Sequence, residues 1–130
     1  MASYEVGDEL PELRVTPDRY LPHRYAGASG DFNPIHLDAE FAKSVGLPGN
    51  ILHGLYSMAQ VARAHTDVTD DPRSLRSLSV QFRGMGLPEE EIVVRSKVAE
   101  VDGDVVVTKT EAEQAGNKII RKAKAELRSS

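Results

Sequence analysis

The sequence predicts an α+β domain in which a helix lies on one face of an antiparallel sheet. Three observations carry the prediction. The second half of the 130-residue chain alternates apolar and polar residues, Asp102-Gly103 supplies a hairpin signal between two such runs, and the first half repeats apolar residues at three- and four-residue spacing from Ile51 to Ala62.

In chain order, a short leading strand comes first, then a short helix that Pro22 can open, since proline suits the first helical turn. Asp38 to Val45 reads as a second short helix with Asp38 as N-cap and Gly46 placed to end it. Ile51, Leu55, Met58, Ala59 and Ala62 fall on one face of a helix over 52–65, a small apolar face suited to packing on a sheet. Leu78, Val80 and Phe82 then alternate with polar neighbours, the pattern of a half-buried strand. Ile92 to Val101 and Val105 to Ala112 are joined across VDGD, where a type I′ turn with positive φ at both central residues is expected, so this pair is antiparallel. The turn AGN leads into a last strand over Lys118 to Leu127, although Ile119, Ala123 and Leu127 also match a helical period.

Composition narrows the function classes. With 40% apolar and 28% charged residues the chain is globular, and its length suits a single domain over 1–130. Sixteen Lys and Arg against twenty Asp and Glu, without a basic stripe, argue against a nucleic-acid partner. The absence of cysteine excludes a disulfide framework, a thiol nucleophile and a thiolate zinc site. The start, MASYEVGDELPEL, is acidic where a targeting peptide is basic, and no apolar run reaches bilayer length, so a cytoplasmic protein with no membrane partner is expected.

The chemistry concentrates in GDFNPIH, residues 30–36. On a helix, Asp31 and His36 would point about 140° apart, and on a strand they would face opposite sides. Gly30 permits a sharp bend and Pro34 drives Asn33 toward an extended backbone, so a kinked loop can aim both groups at one point. Two roles fit the residues. Asp31 and Asn33-Pro34 can be turn formers with His36 holding a backbone carbonyl, or a carboxylate and an imidazole can share one water for general acid–base catalysis. Gly54 likewise allows two readings: close passage of its helix over the sheet, or an exposed N–H at a helix N-terminus for a developing oxyanion.

The run YAGASGDFNPIHLDAEFA followed by ILHGLYSMA resembles the MaoC-like hydratases, the (R)-specific enoyl-CoA hydratase and 3-hydroxyacyl dehydratase family, closely over residues 25–62. The resemblance implies a hot-dog fold, a curved antiparallel sheet wrapped around a central α-helix. It implies a hydro-lyase adding water syn to a trans-2-enoyl thioester, with Asp31 and His36 as the catalytic pair, Asn33 shaping the substrate site and Gly54 as the oxyanion donor. Tyr56 and Ser57 are the adjoining substrate-binding candidates, facing either the acyl site or the core. An acyl-CoA is the expected substrate, with an acyl-ACP as the alternative carrier. No redox or metal cofactor is implied, and no metalloenzyme ligand spacing joins His53 to His36 and Asp38. A homodimer is expected, side by side through the sheet. The alternatives are the catalytic subunit of a heterodimeric 3-hydroxyacyl-ACP dehydratase of fatty acid elongation, paired with a second hot-dog subunit, or a non-catalytic acyl-thioester binder. His53 reads as a structural residue at the helix start, and His23 and His65 as surface or packing residues. Two departures stand out: FRGMGLPEEEI replaces the usual Gly-Asp after the first long strand, and Ala62 replaces a frequent serine.

Overall fold

The structure is a computed structural model that describes residues 3–128. Strand β1 (Leu13–Val15) is followed by four helices, α1 (Leu21–Ser29), α2 (Pro34–Leu37), α3 (Ala39–Ser44) and α4 (Gly54–Thr66). A 3-10 turn at Pro72–Ser74 leads into β2 (Leu75–Phe82), β3 (Ile92–Asp102), β4 (Val105–Gln114) and β5 (Asn117–Arg128). The strands form one sheet in the order β1-β3-β4-β5-β2, antiparallel at every pairing. Helix α4 lies against β2, β3, β4 and β5. This is the helix-on-sheet plan read from the sequence, and the run from Lys118 is a strand.

The core forms where α4 meets the sheet. Tyr56, Val61 and Ala64 pack with Ile92 and Val94 of β3, Ala112 of β4, and Ile119, Ile120 and Ala123 of β5. Each large aliphatic side chain removed from water there contributes roughly 1.5–3 kcal/mol. The helix, however, is rotated relative to the face expected from apolar spacing. Leu55 is 62% exposed, and the buried stripe is Tyr56, Ser57, Gln60, Val61, Ala64 and His65. Apolarity alone misses this stripe because half of its members are polar.

His65 shows how one of them is accommodated. It is fully buried, its Nδ1 donates to the Val61 carbonyl at 2.7 Å, and its Nε2 lies 2.7 Å from Thr108 Oγ1 on β4. A carbonyl only accepts, so Nδ1 carries the proton and Nε2 accepts from the threonine. Burial pushes the His65 pKa below the ordinary histidine value. Between the folded pKa and about 6.5 the unfolded chain takes up a proton that the native chain refuses. Stability is therefore expected to be full above about pH 6.5 and to be lost as pH falls through the folded pKa. The urea midpoint followed from neutral to mildly acidic pH, beside the His65 ring resonances, checks this.

The hairpins differ from expectation in one respect. Asp102 pairs with Val105, and of the two central residues only Gly103 has positive φ, at 61°, so the turn has the type II′ pattern rather than type I′. The type I′ pattern occurs instead at Ala115-Gly116, with φ of 47° and 80°, between paired Gln114 and Asn117.

The outer sheet face carries an unusual row. Lys97, Lys109 and Lys124 are direct cross-strand partners on β3, β4 and β5, and all three are exposed. Neighbouring cations are paired, Arg95 with Glu113 and Lys118 with Glu111, whereas among the described residues these three lysines have no carboxylate at ion-pair distance. Like charges directly opposite destabilise a sheet. Lys109→Glu places opposite charge against both neighbours and is expected to raise the thermal midpoint by a few degrees in low salt, with less gain in high salt. A melt at the two ionic strengths measures it.

Candidate active site

The loop after α1 is built by local chemistry. Gly30, at φ 79°, ends the helix in the left-handed conformation and its N–H donates to the Ala26 carbonyl at 2.8 Å. The chain turns there, and Asp31 begins an Asx turn in which its Oδ1 accepts from Asn33 N–H at 3.2 Å. Asn33, at φ -55° and ψ 126°, is extended as the following proline requires, and its side-chain oxygen caps α2 by accepting from Ile35 N–H at 3.1 Å. The segment read from sequence as a kinked loop therefore ends in a one-turn helix. Asn33-Pro34 acts as N-cap and first helical residue, a pairing equally typical of helix starts and of turns.

This turn brings the predicted pair together. Asp31 Oδ2 lies 3.7 Å from His36 Nε2, with the aspartate side chain 52% exposed and the histidine nearly buried. The separation is too long for a direct hydrogen bond, and a bridging water suits such a gap. His36 Nδ1 donates to the Ile51 carbonyl at 2.8 Å, so that in the neutral ring the Nε2 lone pair is on the Asp31 side. The turn-forming reading of the motif is met, and the geometry that the acid–base reading requires is present beside it. Oδ1 and Nδ1 hold backbone, while Oδ2 and Nε2 face each other.

A second segment, residues 50–53, is laced onto this loop. Ile51 N–H donates to the Ile35 carbonyl at 2.9 Å, Asn50 Nδ2 donates to the His36 carbonyl at 3.1 Å, and His53 Nε2 donates to the Asp31 carbonyl at 3.0 Å. Sequence reasoning missed Asn50, which sits in an unremarkable Gly-Asn loop and is identified only by its bond to His36. The His53 ring stacks on His36 with centroids 3.9 Å apart and planes at 21°.

His53 is also the N-cap residue of α4, yet its side chain does not cap the helix. A serine, threonine or aspartate there would have occupied a first-turn N–H. Gly54, the first residue of α4, is exposed and lines a cavity of about 160 Å³ together with His36, Leu52, Ser57, Phe82 and Met85. A Cβ on Gly54 would come within 3.1 Å of the Phe82 ring, so the glycine serves the close approach to β2 as well as leaving its N–H open. Ser57 is on the cavity wall. Tyr56 is in the core behind it, edge-on to Tyr25, and burial pushes its phenol pKa up. A larger cavity, of about 400 Å³, lies on the outer sheet face among Glu9, Arg95, Lys97 and Lys109. Its lining includes neither Asp31 nor His36, nor a helix N-terminus.

Asp31, His36 and His53 each offer a ligand atom within 4.8 Å of the others. Imidazole lone pairs lie in the ring planes, and the two rings here are stacked in near-parallel planes that do not meet beside them, a poor arrangement for one ion. Asp38 is engaged elsewhere as the N-cap of α3, its Oδ1 accepting from Glu40 and Phe41 N–H. Among the described residues no helix is long and apolar enough to cross a membrane.

Comparison with known proteins gives a consistent picture. A family model described as a MaoC like domain matches residues 7–123. The chain is 41% identical over 86 residues to a fatty acid synthase subunit beta of Aspergillus oryzae, covering 64% of this chain and 4% of that protein. It is 36% identical over 84 residues to the peroxisomal enoyl-CoA hydratase 2 of Arabidopsis thaliana, covering 63% of this chain and 26% of that one. The chain thus spans only a small part of these relatives. Among solved structures, a MaoC-like dehydratase superposes with a TM-score of 0.93 at 31% identity over 98% of this chain and 41% of that chain. The unliganded R-hydratase PhaJ1 from Pseudomonas aeruginosa superposes with a TM-score of 0.85 at 26% identity over 97% and 82%.

Proposed function

This chain belongs to the MaoC-like dehydratase family, and from that premise we propose that it is an (R)-specific enoyl-CoA hydratase, adding water reversibly to a trans-2-enoyl thioester. The observation that carries the reading is the opposition of Asp31 Oδ2 and His36 Nε2 across 3.7 Å. It is reinforced by His36 sharing a cavity wall with the uncapped helix start at Gly54. The similarity to the Arabidopsis enoyl-CoA hydratase and the Pseudomonas R-hydratase supports the substrate class.

In this reading a water donates one hydrogen toward Asp31 Oδ2 and the other toward His36 Nε2. Asp31 takes one proton as the water oxygen attacks the β-carbon, the other hydrogen stays on the new hydroxyl, and the proton taken up, shared or returned through His36, is delivered to the α-carbon from the same side, a syn addition that leaves both residues as they began. Negative charge gathers on the thioester oxygen meanwhile, where the Gly54 N–H at the positive end of α4 meets it. Asn33 holds the turn that sets this geometry, Ser57 lies on the acyl-side wall, and Tyr56 backs that wall from the core. No cofactor is needed, since only water is moved.

Partnership follows the same reading. Strand β2 is a sheet edge, and Phe82 and Leu55 near it are 50% and 62% exposed, which supports a second hot-dog subunit, most simply a copy of this chain, beside it. The match to fatty acid synthase subunits favours a second reading, dehydration of a 3-hydroxyacyl group on an acyl carrier protein. The test is loss of enoyl absorbance when purified protein meets crotonyl-CoA, with crotonyl-ACP alongside. Turnover of the CoA ester is expected; turnover of the ACP ester alone moves the assignment to the second reading, and turnover of neither overturns both.

A further inference from the structure

We infer that His53 is a positioning residue for the acid–base pair, holding Asp31 through its backbone carbonyl; this rests on the reading of Asp31 and His36 given above. Three observations carry it. First, the His53 ring is 2% exposed and its Nδ1 is buried with no hydrogen-bond partner among the described residues. An orphaned buried nitrogen is a cost that a phenylalanine or leucine filling the same space would not carry, so the imidazole is kept for its other nitrogen. Second, that nitrogen, Nε2, donates to the Asp31 carbonyl at 3.0 Å, twenty-two residues away in the chain. Third, the same ring is stacked at 3.9 Å on His36. One side chain therefore touches both members of the pair.

Asp31 is held at three points. Its N–H donates to Ser29 Oγ at 3.2 Å, its Oδ1 accepts from the Asn33 N–H, and its carbonyl accepts from His53, the one holder from outside the loop, so Oδ2 is the atom left to face His36. Asp31 is otherwise exposed, and a shift of about 1 Å between reacting groups is enough to cost roughly 10²-fold in rate. Placing the clamp on the residue that precedes Gly54 also ties the carboxylate to the helix start that would receive the thioester oxygen.

Two variants separate the donor from the ring. His53→Phe keeps an aromatic ring against His36 and removes the N–H, whereas His53→Gln keeps an amide N–H of similar reach and removes the ring. With crotonyl-CoA, His53→Phe is expected to lower kcat by about 10²-fold with KM changed less than about threefold, and His53→Gln to recover most of the loss. A second readout needs no turnover: exchange of the Asn33 amide proton, bonded to Asp31 Oδ1, is expected to quicken by about fivefold or more in His53→Phe and to return in His53→Gln. His53→Leu replaces the phenylalanine variant if that chain does not fold. Unchanged Asn33 exchange in His53→Phe overturns the inference, as does an equal loss of kcat in the Phe and Gln variants, since restoring the donor then restores nothing, or a loss of kcat confined to His53→Gln, which would mean ring packing alone matters. Should the unaltered protein show no turnover beyond Asp31→Asn, the proposed function fails while the exchange experiment still decides the role of His53.

Discussion

Asp31→Asn is expected to lower turnover of crotonyl-CoA by about 10²–10⁴-fold, the range that positioned general acid–base groups contribute, with little change in the thermal midpoint. The structure explains why this variant is clean. Asparagine retains an oxygen for the Asn33 N–H, so the Asx turn survives, and the side chain is half exposed, so no core is disturbed. What disappears is the charge facing His36. His36→Ala is expected to lose activity to a similar extent but to be less stable, because the ring is nearly buried, bonded to the Ile51 carbonyl and stacked on His53. The lost hydrogen bond alone is worth about 1 kcal/mol. Steady-state kinetics and melting curves for both variants read the two effects separately, and wild-type kcat in either would remove the acid–base mechanism.

Gly84→Ala is expected to be the most damaging single methyl group in the chain. The residue follows the end of β2, where Arg83 and Gly84 N–H both reach the Ile119 carbonyl, at 3.0 and 3.3 Å. A Cβ there would lie 2.5 Å from the Lys118 carbonyl oxygen, and backbone paired with β4 at the start of β5 cannot step aside as a side chain would. Overpacking of this kind costs up to about 3 kcal/mol. The displaced segment includes Phe82 and Met85, which wall the candidate site with His36 and Gly54, so activity should fall together with stability. Chemical denaturation and crotonyl-CoA kinetics on the same preparation check both.

The strands were legible because period-two alternation and two turn signals are local, and the N-cap Asp38 and terminator Gly46 marked α3 for the same reason. The position of α4 was legible too, but its orientation was not. Its buried stripe includes Ser57, Gln60 and His65, and the partner that makes His65 tolerable is forty-three residues distant. The site divides in the same way. The sequence GDFNPIH contains the bend, the cap and the two side chains proposed to react, and spacing showed that only irregular backbone could unite Asp31 with His36. The clamp contributed by Asn50 to His53 is long-range, and a histidine at an N-cap position carries no local sign that its ring turns back toward the loop.

The His65–Thr108 contact also bears on how the chain reaches this fold. Sliding β4 by one position against α4 would swing Thr108 outward and leave an imidazole nitrogen stranded among aliphatic groups. Mispaired intermediates are thus penalised by a lost polar bond as well as by poorer packing. One histidine and one threonine act as an alignment key, adding to the penalty that a one-position slide already incurs by turning Lys109, Glu111 and Glu113 of β4 inward.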